Sequence, residues 1–130
     1  MNTLDHLQNM TSKLPDFPEP VQSYPGFKEH AMDCGHSFSW ALLDNPHISA
    51  ARWFNSAGTV FPAHVHKQIE VLIPWFGSIM LTLHGKELVL KPGDYVGIPA
   101  GVVHSSQFLE DCWYLAVCVP NNPDWPTLDD

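Results

Sequence analysis

Basic residues are scarce in this chain: six Lys and Arg stand against fourteen Asp and Glu among 130 residues, a formal net charge of -8. Phosphate binding needs clustered cations, and Lys13, Lys28, Arg52, Lys67, Lys86 and Lys91 lie scattered, which argues against a nucleic-acid partner. Charged residues of either sign make up only 15%. No window approaches the roughly 18–20 apolar residues that span a bilayer, so no membrane partner is expected. The stretch MNTLDHLQNMTSK lacks a charged region followed by an apolar one, so no secretory signal is read and a cytoplasmic location is expected. The three cysteines, Cys34, Cys112 and Cys118, form no CxxC pair. They read as reduced, mostly buried thiols.

What the chain does contain suits one folded domain. Its length lies in the commonest single-domain range, and 45% apolar residues can bury a core. Residues 1–34 read as an N-terminal arm. Asp5 to Lys13 has room for a short helix, after which Pro15, Pro18, Pro20 and Pro25 break regular structure. From about Cys34 short apolar runs alternate with turn signals every eight to twelve residues or so, the rhythm of an all-β sandwich or barrel. His84-Gly85 joins Ser78–Leu83 to Lys86–Leu90 as a tight hairpin. Lys91-Pro92-Gly93-Asp94 carries the type II turn signature. Further strands are expected at His47–Asn55, His64–Pro74, Tyr95–Ile98, Val103–Phe108 and Trp113–Val119. No internal repeat is visible, so residues 35–120 read as a single barrel and 121–130 as a polar, proline-rich tail.

The chemistry concentrates in two segments. In His64-Val65-His66 the imidazoles are two residues apart, so in a strand both project to one face. Glu70 lies four residues beyond His66 and keeps that face if the strand continues. Such a cluster is costly inside a barrel unless a cation sits among it. Neutral imidazoles and an ionised carboxylate suit a divalent transition metal. Taken alone, an HxH pair is more often two exposed or hydrogen-bonded core histidines than a pair of ligands. His104, just after Pro99-Ala100-Gly101, supplies a third imidazole that a barrel can bring across its interior. Three nitrogens and one oxygen leave about two octahedral positions for water, substrate or dioxygen, the profile of a catalytic site. A structural zinc site is instead filled by four protein ligands, usually including cysteine.

The spacing Gly58-(five residues)-His64-Val65-His66-(three residues)-Glu70-(six residues)-Gly77 resembles the first motif of the cupin superfamily. Gly93-(five residues)-Pro99-Ala100-Gly101-(two residues)-His104 resembles the second. The interval between them, residues 78–92, has the short length of small microbial cupins. The resemblance covers residues 58–107 directly. It implies an all-β, single-domain cupin-type barrel (a jelly roll, or double-stranded β-helix) with a proline-bearing N-terminal arm. It further implies that His64, His66, Glu70 and His104 hold one divalent ion of iron, manganese, nickel, zinc or cobalt, and that the chain forms a homodimer. Where the second motif commonly ends in Asn, this sequence has Phe108. Parity puts Phe108 on the face of His104, so a more apolar pocket wall is expected.

Around these ligands Gln68, Tyr95 and Ser106 are candidate pocket groups. Arg52, the only arginine, either meets a carboxylate substrate in the cavity or forms a surface pair. Trp40, Trp53, Trp75 and Trp113 suit core or dimer packing. His6, His30, His36, His47 and His84 match no ligand spacing. Fold does not fix activity. The leading expectation is a metal-dependent enzyme acting on a small oxygen-rich organic molecule, dioxygenase-like or else an isomerase or decarboxylase, with Glu70 as candidate general base. The alternative is a non-catalytic metabolite-binding or sensing module. A third reading is a stress or storage protein whose metal mainly stabilises the barrel.

Overall fold

A computed structural model describes residues 26–123. The expected helix at Asp5 to Lys13, the rest of the arm before residue 26 and the tail beyond 123 lie outside the described residues. Among the described residues every regular element is a strand: β1 (Phe27–His30), β2 (Ser37–Asn45), β3 (Ile48–Asn55), β4 (Val60–His64), β5 (Ile69–Phe76), β6 (Ile79–Leu83), β7 (Lys86–Leu90), β8 (Val96–Ile98), β9 (His104–Phe108) and β10 (Cys112–Val119). No helix among them is long and apolar enough to cross a membrane. The strands form two antiparallel sheets, ordered β1-β2-β3-β10-β5-β8 and β4-β9-β6-β7, as a jelly-roll barrel requires.

Residue patterning sets which face of each strand is inside. β10 alternates buried Cys112, Tyr114, Ala116 and Cys118 with less buried neighbours, the period of two expected of a strand with one face on a core. Between the sheets, Trp53, Leu72 and Tyr114 from the larger meet Ile79, Leu81 and Phe108 from the smaller. On the other side of the larger sheet a second cluster of Phe38, Trp40 and Phe54 packs with Phe27 and Trp113. The turns follow their residues. Asp94 donates its N–H to the Lys91 carbonyl at 2.9 Å, and Gly93 takes the φ of +97° that a type II turn needs. At the β6–β7 hairpin His84 (φ 52°) joins Gly85 (φ 73°) in the positive region, the type I′ pattern.

Besides β2, for which no strand bounds were expected, two regions differ from expectation. Phe27–His30, placed in the arm by its surrounding prolines, is a strand paired with β2, with Phe27 opposite Trp40 and His30 opposite Ser37. Phe27 packs there against Phe38 and Trp40, an apolar contact that offsets the cost of ordering the strand. The span His64–Pro74 is not one strand. β4 ends at His64 in the smaller sheet and β5 begins at Ile69 in the larger. Residues 65–68 carry the chain across, and Gly101 donates its N–H to the His66 carbonyl at 2.9 Å, tying this link to the loop before β9.

Candidate metal centre

β4 and β9 lie side by side, with Phe61 opposite Ser106 and His64 opposite His104. Two residues lie between the pair on β4 and one between the pair on β9, so β4 carries a bulge between Phe61 and His64. Pro62 sits in it, where its missing N–H costs no ladder bond. The extra residue restores parity, and Phe61 and His64 both face the interior cavity. Glu70, near the start of β5, lies between Ile98 of β8 and Cys118 of β10 in the opposite sheet. His66 and Glu70 therefore converge because the chain crosses between sheets, and not through the alternation of a single strand.

The candidate ligand nitrogens of His64, His66 and His104 lie within 4.8 Å of one another. Glu70 Oε1 stands 3.4 Å from His66 Nε2 and 3.5 Å from His104 Nε2. Each ring is oriented through Nδ1 by a backbone carbonyl: Pro62 for His64 at 2.8 Å, Gln68 for His66 at 2.9 Å and Val102 for His104 at 2.9 Å. A carbonyl only accepts, so Nδ1 carries the proton on every neutral ring and Nε2 presents its lone pair. Contacts of this kind orient metal-binding imidazoles. The Nε2 atoms of His66 and His104 are buried without a hydrogen-bond partner, and their separation from Glu70 is too long for a strong bond.

Two acceptors at such distances repel unless a proton or a cation lies between them. Burial alone would raise the Glu70 pKa, but His104 and His66 outweigh it and hold the carboxyl below its ordinary value. Glu70 in turn raises the pKa of His66, chiefly by hydrogen bonding to its protonated form. Three clustered imidazoles, with a carboxylate beside two of them, make a donor set that fits a divalent transition ion.

These residues open onto a cavity of about 420 Å³. Its aromatic walls are Trp53, Phe61, Phe108 and Tyr114. Trp53 stacks on Tyr114 at 6.2 Å, Tyr114 on Phe108 at 5.4 Å, and Phe61 stands edge-on to Phe108 at 6.0 Å. Asn55 Nδ2 donates to the Tyr114 hydroxyl at 2.7 Å. Burial pushes that phenol well above its ordinary pKa, so it stays protonated. Ser106 and Phe108 both line the cavity, and Phe108, 2% exposed, forms apolar wall as expected.

Three other candidates stand elsewhere. Gln68 sits on the link and not in a strand, so parity does not aim it inward; its Nε2 donates to the Asn121 carbonyl at 3.1 Å. Tyr95 is 75% exposed in the turn before β8. Arg52 neighbours Trp53 on β3; since Trp53 points in, Arg52 points out, with its guanidinium 4.6 Å over Trp40 and 5.4 Å over Trp113. Trp53 and His30 line the cavity although spacing does not single them out. For Trp53 the available signal is its alternation with Arg52. For His30 the signal requires knowing that β1 pairs with β2. Cys112 and Cys118 are buried and their thiols are pushed up to about 12, chiefly by burial, whereas Cys34 is exposed.

The sequence profile of the cupin domain family matches residues 55–117. A stretch of 49 residues is 47% identical to quercetin 2,3-dioxygenase of Bacillus subtilis (strain 168), covering 37% of this chain and 14% of that enzyme. Only a small part of that relative is therefore represented here. Among solved structures, an RmlC-like cupin from Shewanella frigidimarina superposes with a TM-score of 0.69 at 19% identity, over 88% of this chain and 96% of that one. A predicted oxalate decarboxylase from Thermotoga maritima gives 0.65 at 23% identity, over 72% and 91%. Identities this low speak for fold alone. The two-sheet barrel, both glycine-and-histidine motifs and the profile match agree, and the chain is a member of the cupin superfamily.

Proposed function

We propose that this cupin is a metal-dependent enzyme in which His64, His66, Glu70 and His104 hold one divalent transition metal and the adjoining cavity takes a small oxygen-rich organic molecule. The observation that carries the reading is the cluster of three imidazoles, each oriented by a carbonyl behind its ring, with the buried Nε2 atoms of His66 and His104 facing the Glu70 carboxylate. A buried carboxylate facing imidazole lone pairs is unfavourable unless a proton or a cation joins it, and a divalent ion satisfies all of these donors at once. An ion held there would supply Lewis-acid polarisation or, if redox-active, electron exchange with dioxygen. The protein's own contribution is to exclude water with Phe61 and Phe108, to orient the ligand's oxygens and to offer Glu70 as a proton acceptor.

The partial likeness to a quercetin 2,3-dioxygenase favours oxygenase chemistry over isomerisation or decarboxylation. Within this reading the chain works as a cytoplasmic homodimer. Half-exposed Ile69, Ile73 and Trp75, on one side of β5, supply apolar surface for a second copy.

Protein loaded in turn with iron(II), manganese(II), nickel(II), cobalt(II) and zinc(II) is to be incubated in air with flavonols and other compounds bearing adjacent oxygens. Dioxygen uptake and products are then followed together. Turnover is expected with at least one redox-active metal, falling at least about 100-fold in His104→Ala. Retention of a ligand without conversion under every metal would instead identify a binding module.

A further inference from the structure

His30 lies outside the residues matched by the family profile, yet it lines the same cavity as the histidine cluster. Its ring is fixed on two sides. It stacks on Trp53 with centroids 4.6 Å apart and planes 23° from parallel, and its Nε2 lies 2.6 Å from Ser39 Oγ. Ser39 is fully buried. The pairing of β1 with β2 makes this contact: His30 stands opposite Ser37, and Ser39, two residues along, shares that face. Burial, helped by the nearby Lys28 charge, lowers the His30 pKa to about 4, so the ring is neutral near pH 7.

A neutral imidazole engaged at Nε2 offers its other nitrogen as a single, directed hydrogen-bonding site. That site donates if the Ser39 hydroxyl donates to Nε2, and accepts if Nε2–H donates to Ser39. The surrounding wall is aromatic, which favours a planar ring over a flexible, strongly hydrated molecule. Apart from the four ligand residues, His30, Ser106 and Asn122 are the side chains of the wall with clear hydrogen-bonding capacity besides the Trp53 and Tyr114 rims.

We propose that His30, held by Ser39 and Trp53, is a ligand-contacting, specificity-determining residue that hydrogen-bonds a hydroxyl of a planar aromatic ligand whose adjacent oxygens meet the metal centre. The proposal rests on the metal-centre reading above. Ser39 acts through His30 and is a positioning residue.

The test uses the full chain loaded with zinc, which is redox-inert, so that binding alone is read by calorimetry. The probes are phenylcatechol and its para-hydroxyphenyl counterpart. They share the chelating oxygens and differ by one remote hydroxyl. The unaltered protein is expected to prefer the hydroxylated probe by roughly tenfold, the contribution of one good hydrogen bond. His30→Phe keeps a ring on Trp53 and is expected to bind both probes equally, with zinc content unchanged and phenylcatechol affinity within about twofold. Ser39→Ala narrows the preference in the same direction. If His30→Phe does not fold, His30→Leu reads the same ratio.

A preference that persists without the imidazole, or that is absent from the unaltered protein, overturns the proposal. Binding of neither probe to a chain holding one zinc also overturns it while leaving the metal centre standing. Failure to take up zinc overturns both.

Discussion

Purified without added metal, His66→Ala and His104→Ala are expected to carry far less divalent metal per chain than the unaltered protein while remaining folded. His104 is 3% exposed, and its Nε2 has no hydrogen-bond partner. Removing it deletes one of three nitrogen donors and leaves Glu70 facing fewer positive or polarisable partners. Losing an outer-shell partner already costs roughly 10–100-fold in metal affinity, and losing a ligand should exceed that. The fold survives because its fully buried side chains, Phe54, Ile79, Leu81 and Ile98 among them, do not depend on the imidazole. The lost Val102 hydrogen bond costs about 1–3 kcal/mol if water does not replace it. His47→Ala, at an exposed turn, is the control and should keep its metal. Elemental analysis beside circular dichroism reads the outcome. Full occupancy in either cluster variant would show that the ligand set is wrong.

Gly77→Ala should lower the thermal midpoint far more than Gly93→Ala, although both glycines occupy positive φ, +78° and +97°. The backbone term, about 1–2 kcal/mol, is common to the two. Their surroundings are not. A methyl at Gly93 meets open space, whereas one at Gly77 falls on the Asp111 carbonyl oxygen and beside Cys112 Cα, both backbone and unable to swing aside. Overpacking of this kind adds roughly 1–3 kcal/mol. At about 4 °C per kcal/mol, Gly77→Ala should melt about 8–20 °C lower and Gly93→Ala about 4–8 °C lower. Differential scanning calorimetry of the two variants checks this. Equal losses would mean that the strand β5 to strand β10 approach is looser than described.

Turns were the most legible part of this sequence because their chemistry is local. Pro92-Gly93 and His84-Gly85 need no knowledge of the rest of the chain to specify their φ values. The three clustered histidines and Glu70 beside two of them were candidates from residue type and spacing, but the path that brings them together was not legible. Alternation reads His64–Pro74 as one strand, whereas the bulge at Pro62 and the crossing at residues 65–68 do the positioning. Phe108 follows from parity with His104 because β9 is regular there. Arg52 illustrates the reverse: whether it or Trp53 faces inward depends on which side of β3 is buried, and both sides are apolar. His30 carries no spacing signal at all. Its place on the wall arises from pairing between two strands whose register no short motif encodes.

The central claim is that four side chains from two sheets and the link between them surround one ion. X-ray diffraction from crystals of the metal-loaded chain, recorded at the metal's absorption edge, tests it most directly. One anomalous peak is expected at roughly 2.0–2.2 Å from Nε2 of His64, His66 and His104 and from a carboxylate oxygen of Glu70. A loaded crystal with no peak at that point, or with its ion bound by other residues, would contradict the account.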